Sequence, residues 1–302
     1  MEAGTVRGVL ASVLAAAAVT LPTAPGCPVF PASNAWNRRV DALPVARDSA
    51  RIVAAVGADA PLHPDFGTRY GIPYAVVGAS TRKVHVRFDY ADESDPGPYP
   101  IPPHPPIEAG SDRHLIVVDR SSCTLYELFD ARRSGGSWRA GSGAIWSLRS
   151  NRLRPDGWTS ADAAGLPILP GLARYDEVVR GAIRHALRFT VPRTRAAHVA
   201  PARHDASSSS DPSLPPMGLR VRLRRSFSLR GFPPQARVVL TALKRYGMIL
   251  ADNGSPWYVT GAPSAGWDDD DLHALARVHG SDLEVVDTQG PAGAASGARP
   301  GP

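Results

Sequence analysis

From Lys83 to Phe129 the chain reads repeatedly as a strand with one buried face. Val84, Val86 and Phe88 alternate with His85, Arg87 and Asp89, and the apolar run His114–Asp119 turns at Arg120-Ser121-Ser122 into Cys123–Phe129. A period of two puts successive side chains on opposite faces of a sheet, so the second pair of segments predicts a hairpin. Ala144–Leu148, Ala182–Phe189, Leu219–Phe227, Trp257–Thr260 and Leu283–Val286 are further strand candidates. Helical patterns are fewer. Asp48-Ser49 followed by Ile52, Val53 and Val56 with Gly57 as a stop predicts a short helix, and Val238, Val239, Ala242, Leu243 and Tyr246 form an apolar stripe over Pro234–Tyr246. A third helix is expected over Asp269–Val278, where Asp268 to Asp271 suit a cap at a positive helix end better than a calcium site.

Two segments resist either pattern. Ser94–Pro106 holds prolines at 96, 98, 100, 102, 103, 105 and 106 and reads as an extended surface crossing, because proline donates nothing to a sheet ladder. Ala206–Pro216 reads as a flexible loop. With 28 Gly and 30 Pro in 302 residues the chain stays short of a low-complexity composition, and its 43% of hydrophobic residues supplies a core. These readings predict a mainly β fold, α+β at the margin: a single β-sandwich-like domain over residues 27–288 with a few peripheral helices, followed by a disordered tail over 289–302.

The first residues carry Arg7 and then an uncharged apolar run from Val9 to Leu21, closed by Pro22-Thr23-Ala24-Pro25-Gly26. The run is short for a membrane span and ends as a secretory signal ends, so residues 1–26 are expected to be a signal peptide and the protein to be secreted, extracellular or in the cell envelope, with no membrane span. Cleavage before Cys27 would permit a lipid anchor there, but the residue three before it is Ala24 rather than the usual Leu. Outside the cytoplasm, two cysteines read as one disulfide, Cys27 with Cys123.

Two cysteines exclude a four-cysteine zinc site, and neither Lys83 nor Lys244 stands in a phosphate-cradling loop, so no cofactor is expected. No serine-hydrolase elbow is present. The net charge of +6 comes from arginine, which supplies all but two of the 34 basic residues. Its densest stretch, Arg220, Arg222, Arg224 and Arg225, alternates with Leu219, Val221 and Leu223, as the solvent face of a strand would. The expected partner is therefore not nucleic acid; an acidic glycan stays open. Oligomeric state is not legible.

The stretches Gly110–Asp119 (GSDRHLIVVD), Gly141–Val178 and Tyr246–Ser255 (YGMILADNGS), with Cys27-Pro28-Val29-Phe30-Pro31 at the expected mature start, resemble an uncharacterised family of secreted bacterial proteins. The resemblance covers nearly the whole domain. It implies export and a single domain, and brings no activity with it.

Three groups of residues are candidates for chemistry. Asp112 and His114, two apart, share a strand face if the strand begins at Asp112, with Glu108 upstream in a glycine-containing loop; the acid would orient the imidazole. Equally, Asp112 caps a turn and His114 is a satisfied histidine at the sheet margin. Arg174-Tyr175-Asp176-Glu177 offers a carboxyl for acid–base work, although adjacent strand residues face opposite ways. His185 alternates with Leu187 and Phe189 and reads as core-facing, whereas His204, in a loop, is better placed for a ligand. The cluster Asp89, Asp92, Glu93 and Asp95 reads as a solvated acidic turn before it reads as calcium-binding.

Tryptophans 138, 146, 158, 257 and 267, with Tyr175, are aromatic surfaces suited to sugar rings, or to a core. Together these readings point to a secreted carbohydrate-active enzyme, hydrolase or lyase, acting on a polysaccharide or cell-wall glycan. Its catalytic residues would be His114, Asp112, Glu108, Asp176 and Glu177; its substrate binders Arg113, Arg174, Tyr175, Trp158 and His204; and no metal is expected. The alternative is a noncatalytic glycan-binding or envelope protein.

Overall fold

The structure is a computed structural model and describes residues 18–288. In chain order its strands are β1 Thr20–Leu21, β2 Ala24–Pro28, β3 His63–Asp65, β4 Tyr74–Val77, β5 Val86–Phe88, β6 Leu115–Asp119, β7 Thr124–Phe129, β8 Arg132–Ser134, β9 Ser137–Ala140, β10 Ser142–Ser147, β11 Leu187–Val191, β12 Arg220–Leu223, β13 Met248–Asn253, β14 Tyr258–Thr260 and β15 Leu283–Val285. The α-helices are α1 Ser49–Val56, α2 Tyr175–Val179, α3 Pro234–Arg245 and α4 Asp269–His273. The fold is mainly β with peripheral helices. The predicted helices and hairpin form where the periodicity put them. The strands expected over 182–189 and 219–227 are displaced or shortened to β11 and β12.

The four-stranded sheet runs β10-β7-β6-β4, and the period-two pattern explains how it is covered on both faces. Leu115, Val117, Tyr126 and Leu128 point to one side, against Val86, Trp138 and Ala140 of the three-stranded sheet β5-β9-β8. Ile116, Val118, Leu125 and Trp146 point to the other, where Leu21, Ala24 and the Cys27–Cys123 bridge cover them. The bridged Cα atoms lie 5.2 Å apart. The disulfide thus pins the β1-β2 hairpin onto the β6-β7 turn. Residues 1–17 of the expected signal segment and the tail from Gln289 lie outside the described residues. Ala18–Gly26 lie within them, and Leu21 and Ala24 are buried there.

The six-stranded mixed sheet β15-β12-β13-β11-β14-β3 builds the second half. Helix α3 lays Ala236, Val239, Leu240 and Leu243 on it. The turn from α3 into β13 needs Gly247, whose φ is +66° and whose added Cβ would sit 2.3 Å from the Val221 carbonyl oxygen.

Arg220 and Arg222 overturn the solvent-face expectation: both are buried. Arg220 donates to the carbonyls of Tyr246, Ala35 and Arg38, and Arg222 to those of Val40 and Leu43 and to Glu284 at 2.8 Å. Their face of β12 is covered by the segment before α1, whose free carbonyls a guanidinium fork satisfies.

Candidate functional site

The chemistry-bearing side chains converge where β11 and β13 run parallel. The pairing is regular from Leu187↔Met248 to Phe189↔Leu250 and then slips, so that Thr190 faces Asp252. The bulge at Ala251 matters because side chains alternate: in regular register Asp252 would share the core-directed side of Phe189 and Leu250. The slip turns its carboxylate to the side of Arg188 instead.

Arg188 is buried and saturated. Its Nε lies 2.8 Å from Asp162 Oδ2 and its Nη2 2.7 Å from Asp162 Oδ1, while Nη2 also reaches Asp252 Oδ2 at 3.0 Å and Nη1 donates to Thr260 Oγ1 at 2.9 Å. Asp162 arrives on a tight turn. Ser160 Oγ accepts from the Asp162 amide, Gly165 N–H donates to Asp162 O, and a Cβ on Gly165 (φ +67°) would meet the Trp158 carbonyl at 2.5 Å. Burial and the neighbouring charge of Asp162 push the Asp252 carboxyl up to about 6, against the pull of Arg188.

Asp162 and Asp252 wall a cavity of about 440 Å³, together with Asp112, Glu93, Tyr90 and His204. His204 Nδ1 lies 2.7 Å from the Ala163 carbonyl, an oxygen that can only accept, so Nδ1 carries the proton and Nε2 keeps a lone pair in the neutral ring. Tyr90 is 55% exposed and marks the rim. Among its charged lining side chains the cavity has carboxylates and no lysine or arginine.

His114 lies beneath this wall and is oriented by Glu108 rather than by Asp112. Its Nδ1 is 2.6 Å from Glu108 Oε2 and its Nε2 3.0 Å from the carbonyl of Ala161, itself a wall residue. With acceptors at both ring nitrogens, the arrangement favours the protonated ring. Burial works to lower its pKa, but the hydrogen bond and charge of Glu108 outweigh it and the pKa is raised. Burial likewise works to raise Glu108, and His114 holds it below its ordinary value. Glu127 is fully buried nearby on β7; burial pushes it up to about 7 although the amides of Leu169 and Ile168 donate to it.

The 174–177 motif is elsewhere. Tyr175, Asp176 and Glu177 belong to α2, not to a strand, and Arg174 is the residue before it: Arg174 Nη2 lies 2.7 Å from Glu177 Oε1, and Glu177 Oε2 lies 3.0 Å from His185 Nε2. Arg174, Tyr175 and Asp176 line a different cavity. Arg113 donates to the carbonyl of Ala131. Trp158 stacks on Arg154, whose guanidinium carbon is 5.4 Å from the ring centroid. The acidic turn is used internally: Asp89 pairs with Arg139, Asp95 with Arg154, and Glu93 accepts from the Thr159 amide at 2.9 Å. Among the described residues no group of three or more His, Cys, Asp or Glu is arranged to hold a metal ion, and no helix is long and apolar enough to cross a membrane.

Of the sequence candidates, Asp112 and His204 share the acidic cavity, with His114 and Glu108 behind it. Asp162, Arg188, Asp252 and Glu127 were not among them. Arg188 alternates with Leu187 and Phe189 as an outward residue would, and the bulge at Ala251 has no local signature beyond the small residues around Asp252. Comparison of the chain with protein-family models, with curated proteins and with solved structures gave no match.

Proposed function

We propose that the protein is a carbohydrate-active enzyme whose acidic cavity hydrolyses a glycan by general acid catalysis, with Asp252 as the acid. The observation that carries the reading is the single Nη2 of Arg188 between Asp162 and Asp252. Two carboxyls in mutual repulsion are driven apart in proton affinity, and one of them, raised to about 6, holds its proton in mild acid while bordering the cavity. Asp252 then protonates a departing glycosidic oxygen. His204, which lines the cavity, takes the proton of an attacking water at Nε2, and Asp112 binds ring hydroxyls.

The wall composition favours hydrolysis over elimination. Lyase chemistry on a uronate is helped by a cationic side chain at the sugar carboxylate, and no lysine or arginine borders this cavity. The Cys27–Cys123 bridge supports an extracellular glycan as substrate.

The noncatalytic alternative loses one of its supports. Of the aromatics offered for sugar stacking, Trp138, Trp146, Trp257 and Trp267 are buried, which leaves Trp158 and Tyr175, both half-buried. The decisive experiment is a polysaccharide panel read for reducing ends and for unsaturated products, with the wild type and Asp252→Asn. The reading expects reducing ends without unsaturated products and a loss of roughly 100-fold or more in the variant. Binding without turnover by either protein would replace it with the glycan-binding alternative.

A further inference from the structure

A second cavity, of about 540 Å³, opens on the opposite motif. It lies between the tip of the β1-β2 hairpin, at Pro22 and Thr23, the start of β4 at Pro73 and Tyr74, and the α2 segment at Arg174, Tyr175 and Asp176. Nothing in the acid chemistry proposed above uses it.

Three of its lining groups have bonding capacity left over. Arg174 is 1% exposed and pairs with Glu177 through Nη2 at 2.7 Å, yet its Nε–H has no hydrogen-bond acceptor, and Asp176 Oδ1 stands off from it at 3.9 Å. A buried guanidinium N–H left unmade is costly, so the position suits an acceptor brought by a ligand. Arg120, exposed at the β6-β7 turn, makes no ion pair among the described residues and borders the same cavity. Asp176 spends one oxygen on Arg180 at 2.9 Å, and its other oxygen is the one that stops short of Arg174. Tyr74 and Tyr175, both half-buried, add ring surface.

We infer that this cavity is a binding site for a carboxylated sugar unit, a uronate, separate from the acidic cavity. The uronate carboxylate takes the Arg174 Nε–H and the charge of Arg120, a ring hydroxyl donates to Asp176, and the ring face lies on tyrosine. Each unfilled group then has the partner its chemistry asks for. A neutral hexose leaves both arginines unserved, and a simple inorganic anion leaves Asp176 repelled and the tyrosines bare. The site complements the acidic cavity, whose wall disfavours the same anion: one end of an acidic heteropolymer is held here while neutral linkages are presented elsewhere. The inference does not depend on the acidic cavity being catalytic.

The test is calorimetric titration of the full protein with glucuronate, glucose and sodium sulfate as probes. Arg120→Ala and Thr23→Trp are made alongside, both at exposed positions, together with Asp252→Asn. Glucuronate is expected to bind, glucose at least about tenfold more weakly, and sulfate no better than glucose. Arg120→Ala and Thr23→Trp should each weaken glucuronate about tenfold or more with the melting temperature unchanged, while Asp252→Asn leaves it alone. Absence of glucuronate binding, equal binding of glucose or sulfate, or indifference to both Arg120→Ala and Thr23→Trp would overturn the inference. Loss of binding in Asp252→Asn alone would move the ligand to the acidic cavity and overturn it too.

Discussion

Asp162 and Arg188 form a two-point ion pair inside the protein, with contacts of 2.8 and 2.7 Å and side chains 0% and 5% exposed. Such a pair is a weak source of stability while intact and an expensive one to break, because the survivor is left charged out of water. Asp162→Asn should therefore cost about 3 kcal/mol or more in chemical denaturation. The double variant Asp162→Asn with Arg188→Leu should recover much of that loss. A single variant within experimental error of the wild type would show that solvent reaches the pair.

The same pair sets the pH dependence expected of the acidic cavity. A carboxyl raised to about 6 is a proton donor below that pH and loses the role above it, so turnover should fall on the alkaline side with a midpoint near 6. Since the charge of Asp162 is one of the two causes of the rise, a folded Asp162→Asn protein should show that limb at lower pH. A limb that stays put would assign it to a group other than Asp252.

Glu127 should make the protein lose stability as pH rises from mild acid to neutrality. Its folded value of about 7 lies above its ordinary 4.5, so the folded state holds the proton more tightly than the unfolded chain does. Stability from this group is then undiminished below about 4.5 and is lost as pH climbs to about 7, by up to about 3 kcal/mol. Glu127→Gln, which keeps an oxygen for the amides of Ile168 and Leu169, should flatten that decline in urea titrations between pH 5 and 8. An unchanged slope would count against it.

The Glu108–His114 pair has the opposite signs. Glu108, held below its ordinary 4.5, stabilises above that value and fails as acid titrates it. His114, held above its ordinary 6.5, stabilises below that value and fails as pH rises through its folded pKa. Both contributions are thus present between about 4.5 and 6.5. Glu108→Gln should lower the His114 titration midpoint seen by NMR and shrink this window, and a midpoint that does not move would mean the ring is held by other charges.

Truncation separates the hairpin from its bridge. A protein beginning at Cys27 lacks Leu21 and Ala24, both buried against the β6-β7 layer, and should lose about 2–3 kcal/mol relative to one beginning at Ala18. Both retain the disulfide, so equal stabilities would show that Leu21 adds nothing to that layer.

Much of the fold is written locally, and the site is not. The hairpin β6-β7, helix α3 and the capped start of α4, where Asp268 accepts from the Asp271 amide, follow from alternation, stripe and cap chemistry within a dozen residues. The edge strand β8 went unread because Arg132-Arg133-Ser134 has no apolar face to alternate. Arg220 and Arg222 misled because alternation reports two faces without saying which is wet. His114 was expected to be oriented by Asp112, whereas the structure sets Glu108 against it, and its other ring nitrogen meets a carbonyl 47 residues away, at Ala161. Asp252 depends on a one-residue slip between strands, and a slip belongs to a pair of segments rather than to either sequence.

The six-stranded sheet closes late in the life of the chain. Its edge strand β3 pairs with β14, and Trp257 reaches back across 200 residues to donate to the carbonyl of Gly57. Until the residues around Trp257 have been synthesised, β3 has an open ladder and α1 lacks that indole contact, whereas the β6-β7-β10 meander already holds its neighbours. A nascent chain therefore carries β3 and α1 without these late partners, and the contacts that close this edge are among the most non-local in the fold.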